Sequence, residues 1–374
     1  MKKPIIISKP GYHALDKALL VAIIGVVLFG LLSLSSASSI VAYEKFGDPY
    51  YYFKHQLLAL TVGVAAFWFF AYFDYRRLKK YAIGFLAFSV FLLILVFIPG
   101  IKANYGTSQS WINIFGFSLQ PSEFVKLSFL LYLAAWLEVR KKDLHDLHQG
   151  IGPFLVVLGM IAGLLVLQPD IGTLSIIGAT SLVVYFVGGG KSKHIAYIFL
   201  FALLGLFIMV KVYPYQMNRF KCVIDPSFSK NDVCYQINQS LIAVGSGGVW
   251  GRGISGSKQK YMYLPEVSSD FIFAVVAEEV GLIRSVLLVL VYMFIFYRGY
   301  MISINAPDDF GKILAIGIVS WITIQMVVNI GGLINIMPMT GVPLPLISYG
   351  GSAILTALAA LGVLMNISRQ TTSA

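Results

Sequence analysis

Charged side chains are scarce in this 374-residue chain: Asp, Glu, Lys and Arg make up 12%, against 58% hydrophobic residues. A soluble domain carries about 25% charged residues, so the composition excludes an ordinary water-soluble globule. Cysteine is nearly absent. Cys222 and Cys234 are the only two, which excludes a disulfide-built scaffold and any Cys-rich metal module. The five histidines, His13, His55, His145, His148 and His194, stand in no metal-ligand spacing with cysteines or carboxylates. Internal repeats and low-complexity tracts are missing as well, so the chain is neither a solenoid nor a linker-rich array. Nucleotide-binding loops are absent too. Gly188-Gly189-Gly190-Lys191-Ser192 resembles the end of a P-loop, but Tyr185 holds the place of the first glycine and no strand precedes it. The run Gly245 to Gly253 misses the dinucleotide spacing, although its backbone amides could nest a phosphate.

Long apolar runs are what the chain has instead. Ten of them lie at roughly 17–38, 56–73, 81–99, 122–139, 151–168, 173–189, 194–213, 271–297, 312–332 and 350–367. Each approaches the length of about 20 residues that crosses ~30 Å of hydrocarbon as a helix. The pattern predicts an all-α polytopic membrane protein of about ten transmembrane helices, one integral domain over residues 1–374. The first run lacks a small-residue cleavage site and is followed by further spans, so it reads as a retained helix. Arg76, Arg77, Lys79 and Lys80 follow the second run, Arg140, Lys141 and Lys142 the fourth, and Lys191 and Lys193 the sixth. With Lys2, Lys3 and Lys9 on the same side, they mark a cytoplasmic face. Both termini then lie in the cytoplasm, residues 1–13 as a short tail. The net charge of +11 therefore serves membrane topology in large part and is no footprint of nucleic acid.

This orientation places residues 214–270 outside as one large loop between the seventh and eighth helices. It is basic, with Arg219, Lys221, Lys230, Arg252, Lys258 and Lys260. Such a cluster is either a solvated face or a landing site for an anionic ligand, because gathered cations concentrate phosphates. Both cysteines lie here, twelve residues apart on an oxidising side. A Cys222–Cys234 disulfide and two free thiols are the alternatives, and the compartment favours the disulfide.

Ionisable residues inside or beside apolar spans are costly and mark candidate sites. Glu123 and Lys126 stand at i and i+3 in the fourth span, where a helix brings them together; they form either a functional polar cluster or a structural ion pair. Asp170, in Gln168-Pro169-Asp170, fits a capping residue of the sixth helix. Asp270 stands at the water boundary of the eighth span, with Glu278 and Glu279 deeper. Glu278 lies about 80° and Glu279 about 180° around the helix from Asp270, so the three cannot face one site. Asp270 is the residue placed for direct chemistry with an external substrate; the glutamates suit tying elements together. Two outer segments, Asn104 to Ser118 and Pro338 to Ser352, are predicted to re-enter the membrane and line a polar pocket. The second has three prolines in eight residues and cannot be regular helix.

These segments, in this order and over nearly the whole chain, resemble the SEDS family (shape, elongation, division and sporulation), which holds the FtsW and RodA proteins of bacterial cell-wall synthesis. The residues that carry the likeness are Gln120-Pro121-Ser122-Glu123 with Lys126, Gln168-Pro169-Asp170, Pro214-Tyr215-Gln216 with Arg219, and Tyr235-Gln236 with Gln239-Ser240. They continue through Leu264-Pro265-Glu266, Asp270-Phe271-Ile272-Phe273, Glu278-Glu279, Asn329-Ile330-Gly331 and Pro345 to Ser352. The resemblance implies a ten-helix fold in the bacterial cytoplasmic membrane. It also implies polymerisation of lipid II into glycan strands beside a class B penicillin-binding protein transpeptidase and other divisome or elongasome proteins, with Asp270 as the essential aspartate. Ser257-Lys258-Gln259-Lys260 leading to Tyr263-Leu264-Pro265-Glu266 looks like the division protein FtsW. Val342 to Leu346 looks equally at home in the elongation protein RodA; taken together the segments resemble FtsW more than RodA, with a RodA-type elongation polymerase as the alternative. Three positions depart from the family pattern: Ser268-Ser269 replaces His-Thr before the aspartate, Ser110 replaces an arginine before Trp111, and Arg284 replaces a glycine.

A diphosphate-linked sugar already carries a good leaving group. The reaction then needs a base for the attacking hydroxyl, a role for Asp270, and cations for the diphosphate. Arg219, Lys258, Lys260 and Lys126 are the candidate cations, and Glu123, Gln216, Gln239 and Ser240 complete the substrate-binding set. A divalent cation, Mg or Mn, is a further expectation with no ligands assigned. The rival expectation is a flippase for the same lipid, using Glu123/Lys126 and Glu278/Glu279 as an intramembrane polar path.

Overall fold

The computed structural model describes residues 14–371 apart from 100–101, 104–109, 115–116, 142–143, 145, 147–150, 230–232 and 262. The tail 1–13, the 104–109 part of the outer segment, and Lys142, His145 and His148 lie outside the described residues. The first three helices are α1 (Lys17–Phe46), α2 (Tyr51–Tyr72) and α3 (Tyr75–Leu95). Three short strands follow, β1 (Lys102–Ala103), β2 (Trp111–Ile114) and β3 (Phe117–Leu119). Then come α4 (Pro121–Arg140), α5 (Gly152–Leu167), α6 (Ile171–Val187) and α7 (Ser192–Val212). The outer loop contributes α8 (Pro214–Ile224) and α9 (Tyr235–Ser246), and the chain closes with α10 (Ile272–Ile304), α11 (Asp309–Leu333) and α12 (Gly351–Ser368).

Local sequence signals set these boundaries. The carboxylates of Asp16, Asp74, Asp170 and Asp308 accept from the amides of Leu19, Arg76, Thr173 and Gly311 at the starts of α1, α3, α6 and α11. They satisfy donors that a first helical turn leaves without partners. Proline in the first turn starts α4, α5 and α8, where its missing N–H breaks no helical bond.

Seven helices among the described residues are long and apolar enough to cross a membrane: α1, α2, α3, α7, α10, α11 and α12. Glu123 and Lys126 lower the hydropathy of α4, and α5 and α6 are shorter apolar helices. These ten match the ten predicted spans. At 1.5 Å per residue the 11 and 12 residues of α8 and α9 reach only about 16–18 Å, so they belong to the outer loop. The centre is α11 and α12, whose apolar windows are 78% and 83% buried, whereas α7 is 6% buried and stands at the periphery. A Cβ at Gly362 would lie 2.4 Å from the Phe67 carbonyl oxygen, so a small residue is what lets α12 press against α2.

The segment before α4 holds an element the sequence did not announce: its described residues pair as an antiparallel sheet of order β1-β2-β3, with Ile112 opposite Leu119 and Lys102. Strand pairing satisfies this backbone without help from a helix. Ile112 is fully buried against Leu92 and Val96 at the end of α3.

Another departure concerns Gly245 to Gly253. Its amides do not wait for phosphate; they seal a break in α10. Gly281 has φ 79 and ψ 178, a conformation open to glycine, and the helical ladder is interrupted there. Arg252 N donates to Glu278 O (3.0 Å), Gly253 N to Glu279 O (3.0 Å), and Leu282 N to Gly248 O (2.9 Å). The broken backbone is thus satisfied by protein rather than exposed to lipid. Before the break, Ile272 to Glu279 are all buried; after it, Leu282, Ile283, Val286 and Leu287 are exposed.

A disulfide joins Cys222, in α8, to Cys234, at the start of α9, with their Cα atoms 5.5 Å apart. Asn335, after α11, donates to the Cys222 carbonyl (3.3 Å) and so ties the linked pair to the membrane core.

A methyl group at Gly281 would be forced to positive φ and would lie 2.2 Å from Gly251 N. Gly281→Ala is expected to destabilise the protein by at least about 2 kcal/mol; an unchanged melting temperature in detergent would refute the seal. The Cys222–Cys234 loop spans 12 residues. Its removal by a double serine substitution is expected to cost about 2–3 kcal/mol by loop-closure entropy. Intact-mass measurement of unreduced, alkylated protein checks the link, and two alkylated thiols would disprove it.

Candidate active site around Asp270

Asp270 ends the outer loop, two residues before α10 begins. Three consecutive carbonyls hold this strand of backbone in place. Ser268 O accepts from Tyr349 N (2.9 Å), Ser269 O from Ser348 Oγ (2.5 Å), and Asp270 O from Asn329 Nδ2 (2.9 Å). The donors come from α11 and from the proline-rich segment between α11 and α12. As the proline spacing predicts, that segment is irregular and packed inside the protein, with Leu344, Leu346, Ile347 and Ser348 buried.

The carboxylate faces a small pocket shared with Asn329, Met339, Thr340, Gly341 and Val342. Gly341 has φ +71, and a Cβ there would stand 3.3 Å from Asp270 Oδ2. Glycine thus keeps the carboxylate approachable from the loop side. Burial pushes the Asp270 carboxyl up to about 7, helped by the negative charges of Glu266 and Asp170 and opposed by Arg219. A carboxylate so tuned takes and releases protons near neutral pH.

The other predicted residues separate into three groups. Arg219, on α8, is at the rim: its Nη1 donates to the Met339 carbonyl (2.9 Å). Ser240, on α9, is buried and donates to the Leu333 carbonyl (2.9 Å), where Leu333 lines the pocket. Gln216 is buried on α8 and Gln239 partly buried on α9. Asp170 caps α6 and accepts from Ser122 Oγ (3.2 Å), joining the starts of α6 and α4.

Glu123 and Lys126 form a second group, inside the membrane. Lys126 Nζ donates to Glu123 Oε1 (2.7 Å) and Gln325 Oε1 (2.8 Å) and stands 5.1 Å from the Trp321 ring centroid. Both charged side chains are nearly inaccessible, at 1% and 2%. Lys126 is therefore committed to internal partners, not open to an external diphosphate.

The third group corrects the reading of the basic loop. Lys260 does not face the outer solvent. Its ammonium is buried and donates to Glu279 Oε1 (2.9 Å) and Ser36 Oγ (3.1 Å), tying the loop to α10 and α1. Glu278 accepts from Ser257 Oγ (2.6 Å), Lys258 N (3.0 Å), Gln259 N (3.3 Å) and Ser246 Oγ (3.2 Å). A carboxylate so surrounded is an internal cap for the loop. Lys258 keeps an exposed side chain while its backbone is held there. Of the predicted cations, Arg219 is the one the structure sets against the Asp270 pocket.

Sequence reasoning passed over Asn329, Thr340 and Gly341 as site residues, and Gln56, Gln325 and Ser348 as their supports. Gln56 Nε2 donates to Ser348 O (3.2 Å) and its Oε1 accepts from Gly350 N (3.1 Å), while Gln325 Nε2 donates to Pro343 O (2.8 Å). The available signal was an amide side chain within an apolar span, which needs a partner as a charge does.

Residues 17–373 match the protein family described as cell cycle protein, FTSW_RODA_SPOVE. Stage V sporulation protein E of Bacillus subtilis is 38% identical over 354 residues, covering 95% of this chain and 97% of its own. The probable peptidoglycan glycosyltransferase FtsW of the same organism is 38% identical over 368 residues, 94% and 90% of the two chains. Among solved structures, a chain from a peptidoglycan synthase complex that coordinates polymerization and crosslinking superimposes with a TM-score of 0.77 at 28% identity, covering 95% of this chain and 98% of that one. With this fold, these helices and this match over nearly its entire length, the chain belongs to the FtsW/RodA/SpoVE family of cell cycle proteins.

Proposed function

We propose that this multi-pass membrane protein is a peptidoglycan glycosyltransferase that polymerises lipid II into glycan strands at the outer face of the cytoplasmic membrane during cell division. The observation that carries the reading is the rigidly mounted Asp270 carboxylate, raised to about 7, beside Arg219 at the outer end of the helical bundle. Likeness to proteins named peptidoglycan glycosyltransferase FtsW supports the reaction and the division role.

In this mechanism the hydroxyl of the acceptor sugar gives its proton to Asp270 as its oxygen bonds to the anomeric carbon of the donor. The bond from that carbon to the diphosphate breaks, and the lipid diphosphate leaves with the electron pair. Arg219 offsets the charge that grows on the leaving group. The lipid tails lie in the apolar surface of the bundle. Among the described residues no three His, Cys, Asp or Glu side chains stand together as a metal-holding group. Mg2+ is commonly held by one or two carboxylates together with substrate phosphates, and no step is assigned here to the expected Mg or Mn.

The partner in this reading is a class B penicillin-binding protein; likeness to a chain from a peptidoglycan synthase complex that coordinates polymerization and crosslinking supports a crosslinking partner. The positive-inside rule supports cytoplasmic termini, since Arg76, Arg77, Arg140 and Lys141 lie at the helix ends away from Asp270. A flippase is disfavoured because the intramembrane charges do not join into a path. Glu123–Lys126 closes on Gln325 and Trp321, and Lys260–Glu279 closes on Ser36.

Asp270→Asn keeps the shape but cannot take the proton. It is expected to lower the rate of glycan synthesis from purified lipid II by at least about 100-fold while the melting temperature is kept. Near-normal synthesis would remove Asp270 from catalysis.

The base works only when ionised, so kcat/KM should climb with pH below about 7 and level off above it. Glu266 raises the Asp270 carboxyl and Arg219 lowers it. Glu266→Gln should therefore move the midpoint to lower pH and Arg219→Gln to higher pH. A midpoint that neither substitution moves would separate the profile from Asp270.

A further inference from the structure

Asn329 reaches the pocket from α11 with one end of its amide fully engaged. Its Nδ2 donates to Asp270 O (2.9 Å) and to Val342 O (2.8 Å). Two carbonyl acceptors on that side fix the amide orientation, because only the nitrogen can donate. The carbonyl end, Oδ1, is therefore turned the other way. It is buried and has no hydrogen-bond partner among the described residues. The whole residue is 6% exposed.

Thr340, on the opposing segment, shares this condition. Its Oγ1 is also buried and without a partner among the described residues. Both residues line the pocket that holds the Asp270 carboxylate, next to Gly341. A buried polar atom left unmatched destabilises the fold, and two in one small pocket are matched most simply by the ligand of that pocket. Oδ1 is an acceptor and Oγ1 can either donate or accept. The complementary group is a donor beside the reacting hydroxyl, as a saccharide presents on neighbouring carbons.

We propose that Asn329 and Thr340 are specificity-determining residues that bind the hydroxyl groups flanking the attacking hydroxyl of the acceptor sugar, and so align that hydroxyl with Asp270. This rests on the polymerase reading above. Asn329 has two tasks. Its nitrogen holds the backbone of the base, and its oxygen meets the substrate, so position of the base and position of the sugar are set by one planar group. Among the described residues Thr340 holds no backbone group, which makes it the cleaner probe.

The test is a two-by-two comparison on the full-length protein purified in detergent, alone and with its transpeptidase partner. Wild type and Thr340→Val are each assayed with an intact lipid-linked disaccharide acceptor and with acceptors lacking one hydroxyl beside the attacking one. Asn329→Ala is assayed in parallel. For wild type, kcat/KM should fall about tenfold or more with one of the deoxy acceptors, because a site built to bond a hydroxyl rejects the analogue that lacks it. Thr340→Val should show a similar loss with the intact acceptor and little further loss with that deoxy acceptor. Equal losses on intact and deoxy acceptors for both variants would make the two residues structural and overturn the inference, as would a wild type indifferent to both deoxy acceptors. If Asn329→Ala fails to fold, Thr340→Val decides. Polymer made by wild type with additive penalties would overturn this inference alone, whereas no polymer from wild type would overturn the polymerase reading and this inference with it.

Discussion

The structure depends on how an irregular stretch of backbone is satisfied inside a membrane protein. Residues 338 to 350 form no regular helix, yet most of them are buried among helices, where water does not complete their hydrogen bonds. Side chains do so instead. The carbonyls of Met339, Val342, Pro343, Pro345 and Ser348 accept from Arg219, Asn329, Gln325, Tyr292 and Gln56 in turn. Ser348 adds a link in each direction, accepting from Leu344 N and donating to Ser269 O. Five helical or loop elements thus converge on one segment, and that segment holds Asp270. The carboxylate is placed by the requirement to leave no buried backbone polar group without a partner.

Charge is treated in the same way. Lys126 sits between Glu123, Gln325 and the face of Trp321, and Trp321 Nε1 also donates to Gln325 Oε1 (2.8 Å). Since Gln325 in turn holds Pro343, the intramembrane ion pair and the active-site loop are consecutive members of one hydrogen-bonded chain. The Glu278 and Glu279 side chains act on the other flank, where they fasten the loop that seals the Gly281 break. Asp270 is held between these two networks, just before the stretch of α10, Ile272 to Glu279, that is buried throughout.

Much of the architecture was legible in the sequence because it follows from solvent alone. Apolar runs of spanning length, arginine and lysine in the short loops and prolines where a helix cannot form all act locally, and the ten spans emerge from them. The position of Asp270 at a helix start was legible for the same reason. The companions of each polar residue were not. Nothing near Lys260 in the chain announces that Glu279 and Ser36 will meet it, since these contacts join residues 19 and 224 positions apart. Lys260 therefore read as a surface cation. Asn329 and Gln325 sat in an apolar helix without charge to mark them, and their importance appears only once their carbonyl partners, which belong to a proline-rich segment, are in view. The strands before α4 escaped because three short runs of two to four residues leave little period to detect.

The burial of Lys260 with Glu279 has a consequence for descent. Each side chain neutralises the other where water does not reach, so loss of either one strands an opposite charge, while replacement of both by apolar residues leaves none. The neutral pair and the charged pair are separated by intermediates less stable than either. The two positions, remote in the gene, are inherited in effect as a single character, and drift at one is closed until the other has changed.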